Sequence, residues 1–564
     1  MARKYTFKPE DARTFKKDGS WFVDSSGRYI LFRGVNFGSR SKMAPYLPVY
    51  PLGLHVLRKD VLKRELQTVK GEMAELKRLG FNVVRLVIQW KGVAPYSHAK
   101  ANGEYLEAVR IIVEELFKLG IYSFIDFHQD LASEKYGGDG FPDWAIRFPP
   151  SPPAYVRPVM QWSTRYSWFS VPFPLSARVR QTLWSFWRNK TRNGRRRFAV
   201  QDMLVDSVCA TAEAFKNVKG ILGYEPFNEP HPVSYRKDVF EREHLGPFYT
   251  KVIDRIAAID PESPVFIEPR VDWTVCKRPS RIRTFLPGTF PGKKTVFSFH
   301  YYDARTQILA FFGIRDWMSG KDKRWGRVFK KILHAAHERD LIPFLTEYGC
   351  DYFGETAWQA PARVGIIKYG AQSSAYMDVS LRKIEEHLLN STLWVFDLYS
   401  TLDHFDNWNM EDSSLMDWNR QMRDTNIIAR PYPMRSSAKP TLLSFDSSTK
   451  HCVVMFEGKP VSKEPTVVYI PNEYQYPGGF EVRHTRGDLS WDLPNHLLYW
   501  YPDAKETEHQ LVVCPKDGFN PAQLPDKTGL LPKATYLFRM PELTKRPVSG
   551  RRKGHGRPRN PKQA

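Results

Sequence analysis

The sequence predicts an α/β protein: a (β/α)8 barrel followed by a C-terminal β-sandwich domain and a disordered basic tail. Three observations carry that reading. A module of strand, amphipathic helix, glycine and next strand repeats early in the chain. Apolar runs of strand character recur eight times before about residue 430. Beyond Arg430-Pro431-Tyr432-Pro433 the texture changes to short β-rich runs divided by Pro, Gly and Asp. Strand–helix alternation builds parallel sheets through right-handed crossovers, whereas closely spaced short strands build sandwiches. With 564 residues, 42% of them hydrophobic, the chain is globular and long enough for more than one core.

Taken in order, Ser20–Asp24 and Tyr29–Val35 read as a hairpin turning at Ser25-Ser26-Gly27, its second strand running into Asn36 as the first barrel strand. Leu66, Val69, Met73, Leu76 and Leu79 mark one face of a helix over 63–79, which Gly80 stops before the strand Phe81–Val87. Leu106, Val109, Val113, Leu116 and Leu119 repeat the pattern, Gly120 ends it, and Ile121–His128 is the third strand. Strands over 221–227, 265–268, 296–301, 341–347 and 392–396 complete eight. The expected domains are an N-terminal extension (1–18), a catalytic barrel (19–436), a β-sandwich (437–544) and the tail (545–564). The barrel exceeds the usual ~250 residues, and the largest insertion, Phe148 to Phe198, is rich in Pro and Trp and expected to overhang the catalytic face.

Five cysteines, far apart and without metal-ligand spacing, speak against a disulfide framework and against zinc. Residues 1–17 carry charge without an apolar stretch, so no secretory signal is expected, and no run is long enough to span a bilayer. A cytoplasmic or peripheral membrane location follows, with the sequons at Asn189 and Asn390 idle. The net charge of +23 is concentrated in Arg188–Arg197 and in the tail from Lys545, which suits peripheral contact with anionic membrane and leaves a merely solvated segment as the open alternative. No nucleic-acid module accompanies these clusters, so no specific nucleic acid is expected as a partner.

Two apolar runs end in a glutamate: Gly223-Tyr224-Glu225-Pro226-Phe227-Asn228-Glu229-Pro230 and Ile342-Pro343-Phe344-Leu345-Thr346-Glu347. Each carboxyl should lie past the C-terminal end of a barrel strand, where such barrels place their chemistry. Buried acids seldom lack a partner or a task. Two carboxyls about 5–5.5 Å apart suit a glycosidase that retains anomeric configuration, one protonating the leaving oxygen and the other attacking the anomeric carbon. Other strands end in polar groups fit for a sugar. Arg85 ends the second and is suited to hold the nucleophile ionised. His128-Gln129-Asp130 ends the third, Asn228 precedes Glu229, His300-Tyr301-Tyr302-Asp303 ends the sixth, and Trp394 lies in the eighth as a platform.

These residues resemble glycoside hydrolase family 5: Arg85, the Asn228-Glu229-Pro230 step, the His300/Tyr302 pair and Glu347 match its pattern. Gly138-Asp139-Gly140-Phe141-Pro142-Asp143-Trp144-Ala145, Phe299–Asp303, Asn407–Leu415 and Arg430–Pro433 resemble its endoglycoceramidase-related branch, which includes glycosylceramidases and steryl glucosidases. The resemblance implies that Glu229 is the acid/base and Glu347 the nucleophile. It also implies that His128, Asp130, Asn228, Tyr302 and Trp394, with Arg85, His300 and Lys42 of the first βα loop, bind or support the sugar. No cofactor or metal is implied. The expected activity is double-displacement hydrolysis of a glycolipid such as a glucosyl- or oligoglycosyl-ceramide. A steryl β-glucosidase or an endo-β-1,4-glucanase on the same fold stays open, as does a non-catalytic carbohydrate- or membrane-binding protein. Trp162, Trp168, Trp184 and Trp187 in the long insertion are expected to add apolar membrane contact.

Overall fold

The computed structural model describes residues 5–96, 100–146, 177–193, 196–233, 236–271, 295–302, 322–350, 352, 370–402, 405–408, 411–520 and 536–539. Eight parallel strands close into a barrel: β1 Arg33–Phe37, β2 Val83–Gln89, β3 Tyr122–His128, β4 Ile221–Glu225, β5 Val265–Ile267, β6 Thr295–His300, β7 Ile342–Glu347 and β8 Asn390–Phe396. Neighbours in the barrel are neighbours in sequence, and β8 closes on β1 with Thr392 beside Gly34.

Helices cover the outside, among them Lys59–Thr68, Lys70–Arg78, Gly103–Lys118, Val200–Phe215 and Gly246–Ile259. The single helix expected over 63–79 is two, joined at Val69, where the backbone leaves helical geometry (φ −95°, ψ 8°) while Val69 itself stays buried. Gly80 ends the second in the left-handed region (φ +81°), and a Cβ there would come within 2.4 Å of the Tyr469 ring. Only glycine stops this helix and also admits that tyrosine.

Inward-facing residues alternate along the strands and stack in layers. The lowest is aromatic. Phe124 and Phe266 stack at 4.2 Å with Phe344 against them, and Phe15, Phe22 and Phe32 close the bottom. Two residues further along the same strands the layer is polar: Arg85, Asp126, Ser298 and Thr346, all buried. His128 and His300 come two residues later again, at the mouth. The plug keeps water from the polar layer's underside, which strengthens the electrostatics above it.

Two antiparallel sheets form the sandwich. One orders Lys16–Asp18, Trp21–Val23, Tyr29–Ile30, Tyr432–Ser436, Thr466–Tyr469, Leu497–Pro502 and Gly487–Asp492. The other orders Lys439–Phe445, Cys452–Glu457, Glu508–Pro515, Phe480–His484 and Tyr536–Arg539. Leu443, Val454, Val482 and Leu511 of the second meet Tyr432, Val468 and Leu498 of the first in one apolar core. The expected hairpin is present, but its second strand breaks after Ile30. Residues 29–30 pair with Arg435 and Ser436 in the sandwich, and the chain resumes at Arg33 in the barrel.

Three further expectations meet the structure. Asn390 is buried with its amide oxygen taking the Phe32 N–H, and the Asn189 amide oxygen takes the Gln201 N–H, so both sequon side chains are occupied within the fold. Trp187 is not a surface residue. It ends the helix Ala177–Trp187, packs on Phe227 and Phe240, and donates its indole N–H to the His231 carbonyl. Trp184 is 38% exposed, with the Arg188 guanidinium 4.3 Å from its ring. Trp162, Trp168, Asp303 and the tail from Lys545 lie outside the described residues. No described helix is long and apolar enough to cross a membrane.

Candidate active site

Glu229 and Glu347 face each other at the C-terminal end of the barrel, 8% and 5% exposed, so both carboxyls lie below the rim. A carboxylate oxygen of each and a ring nitrogen of His300 lie within 4.8 Å of one another. His300 Nδ1 is 2.9 Å from Glu229 Oε1 and 3.4 Å from Glu347 Oε2. So close an approach of two oxygens fits the ~5–5.5 Å carboxyl spacing of direct nucleophilic attack better than the ~6.5–9.5 Å by which an inverting pair admits a water.

Each carboxyl is aimed by a local irregularity. Glu347 follows Thr346, whose hydroxyl already points inward, 2.7 Å from that of Ser298. Strict alternation would turn Glu347 outward. The β6–β7 register slips here, Phe299 pairing with Leu345 and His300 with Glu347, and this bulge brings two successive side chains inward. Glu229 sits just past β4 in the left-handed region (φ +48°), a conformation that costs on the order of 1–3 kcal/mol for a non-glycine residue. Its N–H donates to Glu268 Oε2 at 2.9 Å, which helps hold the turn.

Arg85 does not end its strand as expected. It is the third residue of β2, wholly buried beneath the two glutamates. Its Nη1 donates to Glu347 Oε1 at 2.6 Å and to Asn36 Oδ1 at 3.0 Å, and its Nη2 to Asn228 Oδ1 at 2.8 Å. Nε bonds Glu225, and Nη2 also lies 3.2 Å from Asp126 and 3.4 Å from Glu268. From above, the Tyr302 phenol donates to Glu347 Oε2 at 2.9 Å. Both oxygens of Glu347 are therefore held, one by a guanidinium and one by a phenol. Asn228 is locked by a reciprocal pair with Gln129: each side-chain amide donates to the other's carbonyl, at 3.0 and 2.9 Å.

Two cations, Arg85 and His300, face four buried glutamates, Glu225, Glu229, Glu268 and Glu347. Not all four can ionise in so dry a place. Burial pushes the Glu229 carboxyl up, helped by the charge of Glu347 and opposed by His300. Burial likewise raises Glu225, and raises Glu268 to about 8. His300 is driven well above its ordinary value: burial opposes its charge, but Glu268, Glu347 and Glu229 outweigh burial. Its Nε2 lies 3.0 Å from Glu268, off the direction of the ring N–H, so that contact is an ion pair more than a hydrogen bond.

The residues expected to face the sugar form an adjoining cluster, reached through Tyr302, which packs on Val87, Trp394 and Val395. His128 stacks on Trp394 at 5.4 Å and joins Asp126 (2.7 Å) to Asp130 (3.2 Å). Lys42 is brought in from the first βα loop, its Nζ 2.6 Å from Asp130 and over the rings of Trp394 (4.7 Å) and Trp408 (4.0 Å). Against the cost of burial, Lys42 and His128 hold Asp130 below the carboxylate range, and Asp126 and Asp130 raise His128 to about 10. Burial and the charge of Asp130 lift Asp139 to about 7. Donor atoms of His128, Asp130 and Asp139 come within 4.8 Å of one another, but the cation seated among them is the lysine.

The structure thus brings together all ten sequence-predicted residues: Lys42, Arg85, His128, Asp130, Asn228, Glu229, His300, Tyr302, Glu347 and Trp394. Sequence reasoning passed over Asn36, Asp126, Glu225, Glu268 and Trp408. A signal existed for three of them: Asp126 and Glu225 are acids inside otherwise apolar strands, and Glu268 ends the apolar run Val265-Phe266-Ile267, each of which demands a buried partner.

Comparison with known proteins fits this arrangement. The family model Cellulase (glycosyl hydrolase family 5) matches residues 59–396, and the Glycoside hydrolase family 5 C-terminal domain matches 430–513. The chain belongs to glycosyl hydrolase family 5, and is a retaining O-glycosyl hydrolase. Endoglycoceramidase I of Rhodococcus hoagii (strain 103S) is 25% identical over 496 residues, covering 85% of this chain and 83% of the relative. Two solved structures share the fold. Endo-glycoceramidase II from Rhodococcus sp., in its ganglioside GM3 complex, has a TM-score of 0.64 at 19% identity, covering 88% of this chain and all (100%) of the other. Cryptococcus neoformans sterylglucosidase 1 has a TM-score of 0.71 at 15% identity, covering 90% of this chain and 98% of the other.

Proposed function

We propose that this chain hydrolyses the β-glycosidic bond of a glycolipid, with Glu347 as nucleophile and Glu229 as acid/base. The observation that carries the chemistry is the pair itself, two carboxyls with oxygens within 4.8 Å that share His300. In the first step a Glu347 oxygen attacks the anomeric carbon, the bond to the aglycone oxygen breaks, and that oxygen takes the proton of Glu229. Burial favours the protonated form of Glu229 beforehand, as an acid requires. In the second step a water gives its proton to Glu229, its oxygen attacks the anomeric carbon, and Glu347 leaves as the carboxylate that Arg85 and Tyr302 stabilise. Lys42, His128, Asp130, Asn228 and Trp394 hold the sugar at the cleavage point.

The glycolipid reading is supported by the branch motifs and by likeness over most of the chain to a relative named as an endoglycoceramidase. Arg188–Arg197 and the tail from Lys545 supply attraction to anionic membrane, where such a substrate resides. The test is product analysis by mass spectrometry on glucosylceramide, lactosylceramide, a steryl glucoside and cello-oligosaccharides. Release of sugar from a ceramide or steryl glycoside in preference to the cello-oligosaccharides is expected. Faster cleavage of cello-oligosaccharides than of every glycolipid would overturn the lipid assignment and leave a glucanase.

A further inference from the structure

The loop that follows β1 shows water an unusual surface. Leu52, Leu54 and Val56 are 39%, 45% and 75% exposed, and every residue from Leu52 to Val56 is exposed. Large apolar side chains so close together on a water-facing loop call for a partner. The loop is also held stiffly. Arg40, 1% exposed, donates to five backbone carbonyls: Tyr50 (3.1 Å), Met43 (2.9 Å), Ala44 (2.9 Å), Pro51 (3.2 Å) and Leu54 (3.1 Å). The Tyr50 phenol donates to the Val56 carbonyl at 2.7 Å and accepts the Arg58 N–H at 3.0 Å. A buried guanidinium spent wholly on loop carbonyls displays the leucines in a fixed shape, which lowers the entropy lost when they are covered.

Position and charge say what covers them. The loop leaves the C-terminal end of β1, the end that carries the site, and one short helical turn, Ser39–Lys42, serves both: Arg40 reaches back into the loop while Lys42 reaches Asp130. Immediately beyond the apolar tip, Arg58, Lys59, Lys63 and Arg64 surround a single acid, Asp60, in residues 58–64, and all four cations are exposed. An apolar tip beside a cationic collar at the mouth of the barrel matches a lipid surface, acyl chains taking the leucines and anionic head groups the cations. We infer that the loop 51–57 inserts into the outer layer of a lipid bilayer and seats the mouth of the barrel on it. The inference rests on the proposed glycolipid substrate only for its purpose; the docking itself needs no glycolipid in the membrane.

The experiment uses the full chain and vesicles of phosphatidylcholine with phosphatidylserine, free of any glycolipid, at low salt and at about 1 M salt, where the Debye length falls to about 3 Å. Binding by the tail and other basic segments is screened there, and apolar insertion is not. Leu54→Glu and the double variant Leu52→Ser/Val56→Ser are expected to bind at least about tenfold more weakly at high salt. Hydrolysis of a soluble aryl β-glucoside should be unchanged, which also verifies folding. As a gain-side check, Val56→Trp should bind more tightly, because Trp favours the bilayer interface. Equal binding by wild type and both loop variants, or no vesicle binding by the wild type, overturns the inference and leaves the glycolipid reading standing. Loop-dependent binding together with cello-oligosaccharide specificity would sink the substrate reading and leave the docking surface.

Discussion

Glu268 accepts the backbone N–H of Glu229 at 2.9 Å, so the proposed acid/base residue is positioned through its main chain by a carboxyl on the neighbouring strand end. The Tyr249 phenol in turn accepts the N–H of Glu268 at 2.9 Å. A left-handed glutamate persists only where its surroundings over-determine it, and Glu268 is that surrounding.

Glu268→Gln keeps an acceptor for this N–H and should keep most of the stability. Glu268→Ala strands a buried donor and should lose about 1–3 kcal/mol. Wild type and Glu268→Gln differ further in pH dependence. The folded protein holds the Glu268 proton up to about 8 against 4.5 for an unperturbed glutamate, so its contribution is fully present below about 4.5 and lost as pH rises through about 8. Wild type should therefore lose stability relative to Glu268→Gln across that window, measured by urea denaturation at a series of pH values. A constant difference would show that the fold does not raise the pKa of Glu268 above its unfolded value.

The division of labour between the two central glutamates predicts different losses. Glu347→Gln should abolish turnover on every substrate, since no other group can form the glycosyl-enzyme. Glu229→Ala should slow substrates with poor leaving groups by about 10²–10⁴-fold. Aryl glucosides with good leaving groups should still glycosylate this variant quickly, and azide should restore its turnover by replacing water. Equal loss in both variants on activated substrates, without rescue by azide, would contradict the roles.

Arg85 predicts a loss of stability larger than its single charge suggests. It touches Glu225, Glu347, Asp126 and Glu268, and is itself fully buried. Arg85→Met would leave those carboxyls without their counter-charge, at a cost of about 3–5 kcal/mol. Chemical denaturation measures this. The variant should also lose activity on good and poor leaving groups alike, because the ionised form of Glu347 is needed in both.

How much of this was legible in the sequence depends on the kind of feature. Glu229, Glu347, His128 and His300 were readable because each follows an apolar run, and period-two burial fixes where such a run must end. Arg85 lies within its run, so a rule about strand ends put it one layer too high. The bulge after Phe299 left no trace, since Thr346 and Glu347 are unremarkable neighbours until a register slip turns both inward. Trp187 looked like a surface tryptophan because tryptophan serves membrane and core equally well. Only its contacts with Phe227 and Phe240 decide. The split between Ile30 and Arg33 was hidden for a similar reason: one β-rich stretch serves two sheets, and partner choice is a tertiary property.

The basic tail gives a prediction that separates electrostatic from apolar membrane contact. Eight Lys or Arg and no acid follow Thr544, and each basic residue near an anionic surface contributes on the order of 1 kcal/mol. Such attraction is long-ranged in weak salt and collapses as the Debye length shortens. Deleting residues after Thr544 should therefore weaken co-sedimentation with anionic vesicles at low salt and change little at about 1 M salt, the Debye length there being about 3 Å. Changes in the loop 51–57 should show the opposite preference, mattering most where charge is screened. Neither change should alter turnover of a short soluble glucoside, because neither touches a residue proposed to bind the sugar or to carry the chemistry. If truncated and full-length protein bind anionic vesicles equally at low salt, the tail makes no membrane contact, and attraction must come from Arg188–Arg197 and the collar around the loop.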